Sequence, residues 1–172
     1  MNGTRRIRDI AERSVRVLNA RPDRGHLTGV TRARIEDGLR CEISEDGWTL
    51  ATDMPAKAGG DGAAPTPGML GRGALASCLA VGITTWAARL GVPLDAVEVE
   101  VQADFDARGE LGLGDAPPGY EEVRRIVRIQ SPASEAVLVD LVDTAERHSP
   151  YLDVFGRAQS LRRELHLERT ED

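Results

Sequence analysis

Residues 64–91, APTPGMLGRGALASCLAVGITTWAARLG, decide how the rest of the chain is read. Thr66 before Pro67 has the form of a helix start: a capping hydroxyl, then a proline at the first helical position, where its missing N–H is not needed. Gly91, with Pro93 close behind, has the form of the stop. Between Arg72 and Arg89 no residue is charged, and apolar or small residues fall on every side of the helical wheel. Such a helix is expected to be buried all round. A membrane span is the competing reading, but the uncharged window is shorter than the roughly 20 residues a bilayer requires. No membrane is expected. Cys78 stands in the middle of this helix.

The chain has 172 residues, 41% of them hydrophobic, enough for one domain with a real core. Its 22 basic and 28 acidic residues give a net charge of -6, with the signs interspersed. That balance, without a basic stripe or aromatic platform, excludes nucleic acid as an expected partner. The first fifteen residues mix arginines with acids and lack the apolar core of a secretion signal. Two cysteines far apart then read as reduced thiols, and the expected compartment is the cytoplasm. His26, His148 and His166 have no ligand spacing, so no metal is expected.

Outward from the central helix, residues 4–20 place Ile7, Ile10, Ala11, Val15 and Leu18 at helical spacing. A β-meander is expected next: runs at 27–35, 39–43 and 48–51, separated by turns at Asp37-Gly38 and Asp46-Gly47. Leu39, Cys41 and Ile43 share one face of the middle run, which makes Cys41 a core thiol. The stretch 55–66 is rich in Gly and Pro but has no phosphate-binding signature, and reads as a flexible lid or connector.

After the helix, residues 97–105 alternate apolar and acidic or polar side chains, a long strand with one wet face. Residues 120–130 read as its successor. Ser131-Pro132 is expected to open a second helix, broken at His148-Ser149-Pro150, with a short helical turn at 152–155. Leu161, Leu165 and Leu167 suggest a closing strand before a charged tail. The organisation is an N-terminal helical extension over 1–25 and a single α+β domain over 26–172.

Cys78 is the candidate nucleophile. A cysteine in an apolar helix is most often a small buried hydrophobe; to react it must be a thiolate, held by nearby positive charge or a helix N-terminus. Cys78 lies about three turns into its helix, beyond the reach of the dipole. Arg72, six residues earlier, is about 120° away round the wheel. Any activating charge must come from another element or another subunit, and no arginine can be singled out for it.

Three segments resemble the OsmC/Ohr family, the osmotically inducible and organic hydroperoxide resistance proteins: GGDGAAPTPGMLGRGALASCLA at 59–80, GVPLDAVEVEVQADFDARGELG at 91–112 and AERHSPYLDVF at 145–155. The resemblance implies an α+β fold of antiparallel sheets around a long central helix, in an intertwined homodimer with its sites at the subunit interface. It implies a thiol peroxidase acting on organic hydroperoxides, with Cys78 at the peroxidatic position. The family's second, resolving cysteine falls on Ser149 and its glutamate on Gly68, so both partners are lost. The family's arginine has no clear counterpart. No cofactor is implied; an external thiol would be the reductant, in a one-Cys cycle serving oxidative stress defence. Cys41 could replace the resolving thiol only with Cα atoms within about 7 Å. The alternatives are a catalytically degenerate dimer that binds a small apolar ligand at the subunit interface, and a structural dimer in which Cys78 is core packing.

Overall fold

A computed structural model describes residues 3–169. Its elements in order are α1 (Gly3–Ala20), β1 (Arg32–Arg34), β2 (Cys41–Glu45), β3 (Trp48–Thr52), α2 (Pro67–Leu90), β4 (Ala96–Phe105), α3 (Ala107–Glu110), β5 (Tyr120–Gln130), α4 (Glu135–Arg147) and α5 (Pro150–Gly156). The strands form two antiparallel sheets, β1-β2-β3 and β4-β5. The α+β class and the central helix are as the sequence predicts.

Helix α2 begins and ends where its sequence says it should. Thr66 Oγ1 accepts the Met69 N–H, Pro67 is the first helical residue, and Gly91 closes the helix in the left-handed region at φ 73°. The helix packs against β4, α4, α1 and α5. Ile83 and Ala87 meet Leu141 and Ala145 of α4 in the main core, flanked by Val97 and Val99 of β4 and Val127 and Ile129 of β5. On the wet face of the same sheet, Arg128 pairs with Glu98 and Glu100, and Arg124 bridges Asp104 and Glu122.

Burial of α2 on every side is not what the chain achieves. Leu75, Leu79, Ile83 and Ala87 are buried, but Met69, Gly73, Ser77 and Val81 lie exposed four residues apart along the opposite side. The reason is topological: β4, α4, α1 and α5 are the elements that pack on α2, and among the described residues none covers this side. By length and composition α2 is the one helix among the described residues that could cross a membrane.

Several other boundaries differ from expectation. Only Arg32–Arg34 of the first run pairs, with Ser44 to Glu42 of β2. Helix α4 starts at Glu135 behind Ser134, because Ser131 is engaged elsewhere: its Oγ donates to Pro93 O and accepts from Ala133 N–H. The leucines at 161, 165 and 167 form no strand and are exposed. The charged tail beyond Glu168 lies mostly outside the described residues. Cys41 is half-buried rather than in the core, because the face it shares with the exposed Leu39 and the half-buried Ile43 is only partly covered.

The amphipathic segment at the N-terminus is a helix over almost the expected length. It docks on α2 through one specific contact: Arg8 Nε donates to Ala88 O at 2.6 Å, satisfying a carbonyl in the last turn that the helix itself leaves open.

Candidate active site

The loop before α2 is fixed, not a loose lid. Asp53, 2% exposed, follows β3 and accepts three backbone N–H groups: Met54 on Oδ1 at 2.7 Å, and Asp61 at 3.2 Å and Ala63 at 2.9 Å on Oδ2. Its own N–H donates to Pro65 O. The Ala63 N–H is the main cause holding its carboxyl below the usual range; Met54, Asp61 and the charge of Arg40 act the same way, against burial. Gly60 has to be glycine here, since a Cβ would stand 2.0 Å from Met54 O. The Gly-rich stretch is thereby wound round one carboxylate and delivers Thr66 to its capping position.

Six residues on from Thr66, the second turn of α2 holds a group that the sequence does not advertise. Arg72 Nη1 donates to Tyr120 Oη at 3.2 Å, and Tyr120 Oη donates to Gly68 O at 3.4 Å. A Cβ at Gly68 would lie 3.3 Å from Arg72 Nη1. A side chain at 68 would make the guanidinium give by a few tenths of an ångström, and among the described residues no carboxylate pairs with it. Tyr120 stacks on Phe155 of α5, with centroids 6.4 Å apart and planes 11° apart, and lies tilted against Phe105. Arg72 and Tyr120 are 48 residues apart, so only the fold reveals the pair.

Cys78 lies on α2 between the buried Leu75 and Leu79 on one side and the exposed Ser77 on the other, and is half-buried. Its Sγ is 3.9 Å from Ser149 Oγ. Ser149, 7% exposed, caps α5: its Oγ accepts Leu152 N–H at 3.3 Å, and Pro150 takes the first helical position. The two positions that the sequence placed in one site, 78 and 149, are therefore brought together. The third, Gly68, sits at the start of α2 with Arg72 above it.

Neither a histidine nor an arginine hydrogen-bonds the thiol among the described residues. His148 is next to Ser149 in sequence but turns to Trp86, with ring centroids 4.8 Å apart, and its Nδ1 donates to Thr144 O at 2.8 Å. Arg89 lies over the same indole at 3.9 Å, a cation–π contact at the far end of α2. Cys41 and Cys78 are both free thiols, and no cluster of His, Cys, Asp or Glu among the described residues has metal-binding geometry.

Residues 59–162 match the family model of the OsmC-like protein. No curated protein matches the chain. Among solved structures, it is similar to an OsmC-like protein from Mycoplasma pneumoniae, at 15% identity and a TM-score of 0.64, covering 76% of this chain and 88% of that one. It is also similar to an organic hydroperoxide resistance protein OsmC from Legionella pneumophila, at 21% identity and a TM-score of 0.57, with coverages of 75% and 89%. A third, an organic hydroperoxide resistance protein from Elizabethkingia anophelis, gives 16% identity, a TM-score of 0.55 and coverages of 75% and 88%. At these identities the likeness is one of fold, while the family model spans more than half of the chain. The chain belongs to the family of OsmC-like proteins.

Proposed function

We propose that this protein is a one-Cys organic hydroperoxide reductase acting in oxidative stress defence in the cytoplasm. The observation that carries the reading is Cys78, half-buried on the central helix, with a hydroxyl rather than a second thiol across from it at 3.9 Å. The Cys78 thiolate attacks the terminal oxygen of R–O–OH, the O–O bond breaks, and the alkoxide leaves to take up a proton as the alcohol. Cys78 is then a sulfenic acid. Because Ser149 offers no sulfur, a small external thiol forms the mixed disulfide and releases water, and a second thiol restores Cys78.

The working unit in this proposal is a homodimer in which the exposed side of α2, along Gly73, Ser77 and Val81, packs against a second copy. Small residues there let backbones approach closely. A guanidinium for the thiolate then comes from the partner or from a movement of Arg72, whose only hydrogen-bonding partner among the described residues is the neutral Tyr120. That same engagement favours the second reading, a degenerate dimer holding a small apolar ligand at the interface. Turnover of cumene hydroperoxide with dithiothreitol, compared between the wild type and C78S, separates them. A rate lost in C78S supports the reductase; no thiol-dependent rate in the wild type supports the binder.

A further inference from the structure

The residue at the lost resolving position is not a bystander: we infer that Ser149 donates its hydroxyl proton to the Cys78 thiolate and sets the pH range in which that sulfur is reactive. The inference deepens the reductase reading and rests on Cys78 being its reacting atom.

The hydrogen-bonding capacity of Ser149 leaves little freedom. Its backbone N–H donates to Glu146 O at 3.1 Å, and its Oγ receives the Leu152 N–H at 3.3 Å. One lone pair is thus occupied by α5, and the hydroxyl proton has one further partner among the described residues, Cys78 Sγ at 3.9 Å. With Cys78 protonated, either atom can donate. Once Cys78 ionises, sulfur can only accept, so the hydroxyl must donate. A bond to an ionised acceptor is shorter and roughly twice as strong as a neutral one. Ionisation therefore draws the pair together. Ser149 is 7% exposed, which limits competition from water for its hydroxyl.

Several charged groups on the elements round Cys78 are committed to other partners. Arg72 of α2 is bound to Tyr120 of β5, and Arg89 lies over Trp86. Arg8 of α1 caps Ala88 O. At the end of α4, Glu146 is paired with Arg125 of β5 and His148 with Thr144 O, while Asp153 of α5 is paired with Arg157. On β4, Glu98, Glu100 and Asp104 pair with arginines of β5 on the wet face. Among the described residues of this chain, the Ser149 hydroxyl is the one side-chain donor hydrogen-bonded to the sulfur.

The test is the pH profile of alkylation of Cys78 by iodoacetamide, measured on the full chain in a Cys41→Ala background. Ser149→Ala removes both the donor and the α5 cap. Ser149→Asp keeps an oxygen for the Leu152 N–H but has no proton to give. Ser149→Thr keeps both functions. The expected result is a midpoint about one pH unit higher in Ser149→Ala, a tenfold loss of reactivity on the acid side. In Ser149→Asp the midpoint rises further, because the carboxylate adds a like charge beside the sulfur to the loss of the donor, and in Ser149→Thr it stays near the wild type. Coincident profiles for wild type and Ser149→Ala, or a Ser149→Thr profile displaced like that of Ser149→Ala, overturn the inference. The reductase reading fails separately: with displaced profiles but no sulfenic acid after cumene hydroperoxide, the hydrogen bond stands and the peroxidase does not.

Discussion

Cys78 and Ser149 face each other across 71 residues of sequence, sulfur to hydroxyl oxygen at 3.9 Å, with the serine fixed as the cap of α5. The pair has the atoms of a hydrogen bond, and a thiol at 149 would stand within reach of the Cys78 sulfur. Replacing Ser149 by Cys should turn that contact into a disulfide. Exposed to hydroperoxide, Ser149→Cys is expected to yield a bond between peptides carrying residues 78 and 149 in mass spectrometry. Persistence of two free thiols there would show that the side chains do not approach as described.

Asp53 links stability to acid. Its folded-state carboxyl is held below its ordinary value, first by the Ala63 N–H. A group depressed on folding stabilises the protein above its unfolded value near 3.8 and loses that contribution as pH falls through the folded value. Acid unfolding followed by circular dichroism should therefore be less steep in Asp53→Asn than in the wild type, with lower stability at neutral pH. Equal steepness would contradict the role of Asp53.

The core beneath Cys78 should respond as a packed core does. Leu79 is 1% exposed and Ile83 is 0% exposed. Leu79→Ala or Ile83→Ala is expected to cost about 2–5 kcal/mol in urea unfolding, through lost transfer energy and the cavity left behind. The other side of α2 should behave differently. Val81 is 65% exposed, so Val81→Glu should leave the monomer folded. If α2 pairs with a second copy through this side, light scattering will show a dimer in the wild type and a monomer in Val81→Glu.

The extension α1 is held to α2 by Arg8 and by Ile7 and Ala11, which are its half-buried apolar residues. Arg8→Ala is expected to raise hydrogen exchange throughout α1 and in the last turn of α2, with β4 and β5 unchanged. Unaltered exchange in α1 would mean that the contact to Ala88 O does not hold the helix down.

What the sequence revealed and what it hid divide by range. Thr66, Pro67 and Gly91 fix the ends of α2 within their own few residues, and alternation along 97–105 is a local property; both were legible. The juxtaposition of Cys78 with Ser149 was legible only through resemblance, because 71 residues separate them. Asp53, the Arg72–Tyr120 pair and the docking of Arg8 were missed, since nothing in a lone Asp, Tyr or Arg tells which distant backbone or side chain it will meet. Ser131-Pro132 misled because a serine before a proline caps a helix only if its hydroxyl is free, and this one bonds Pro93 O. Apolar residues all round α2 point to burial on every side, although composition does not say whether the cover is the same chain or another.

The central claim is that the Cys78 sulfur takes an oxygen from an organic hydroperoxide. Its most direct test is trapping with dimedone after cumene hydroperoxide, followed by peptide mass spectrometry. The account predicts a sulfenic acid adduct at Cys78 and none at Cys41, reversed by added thiol when the trap is omitted. A Cys78 peptide that stays unmodified while the hydroperoxide persists would contradict it.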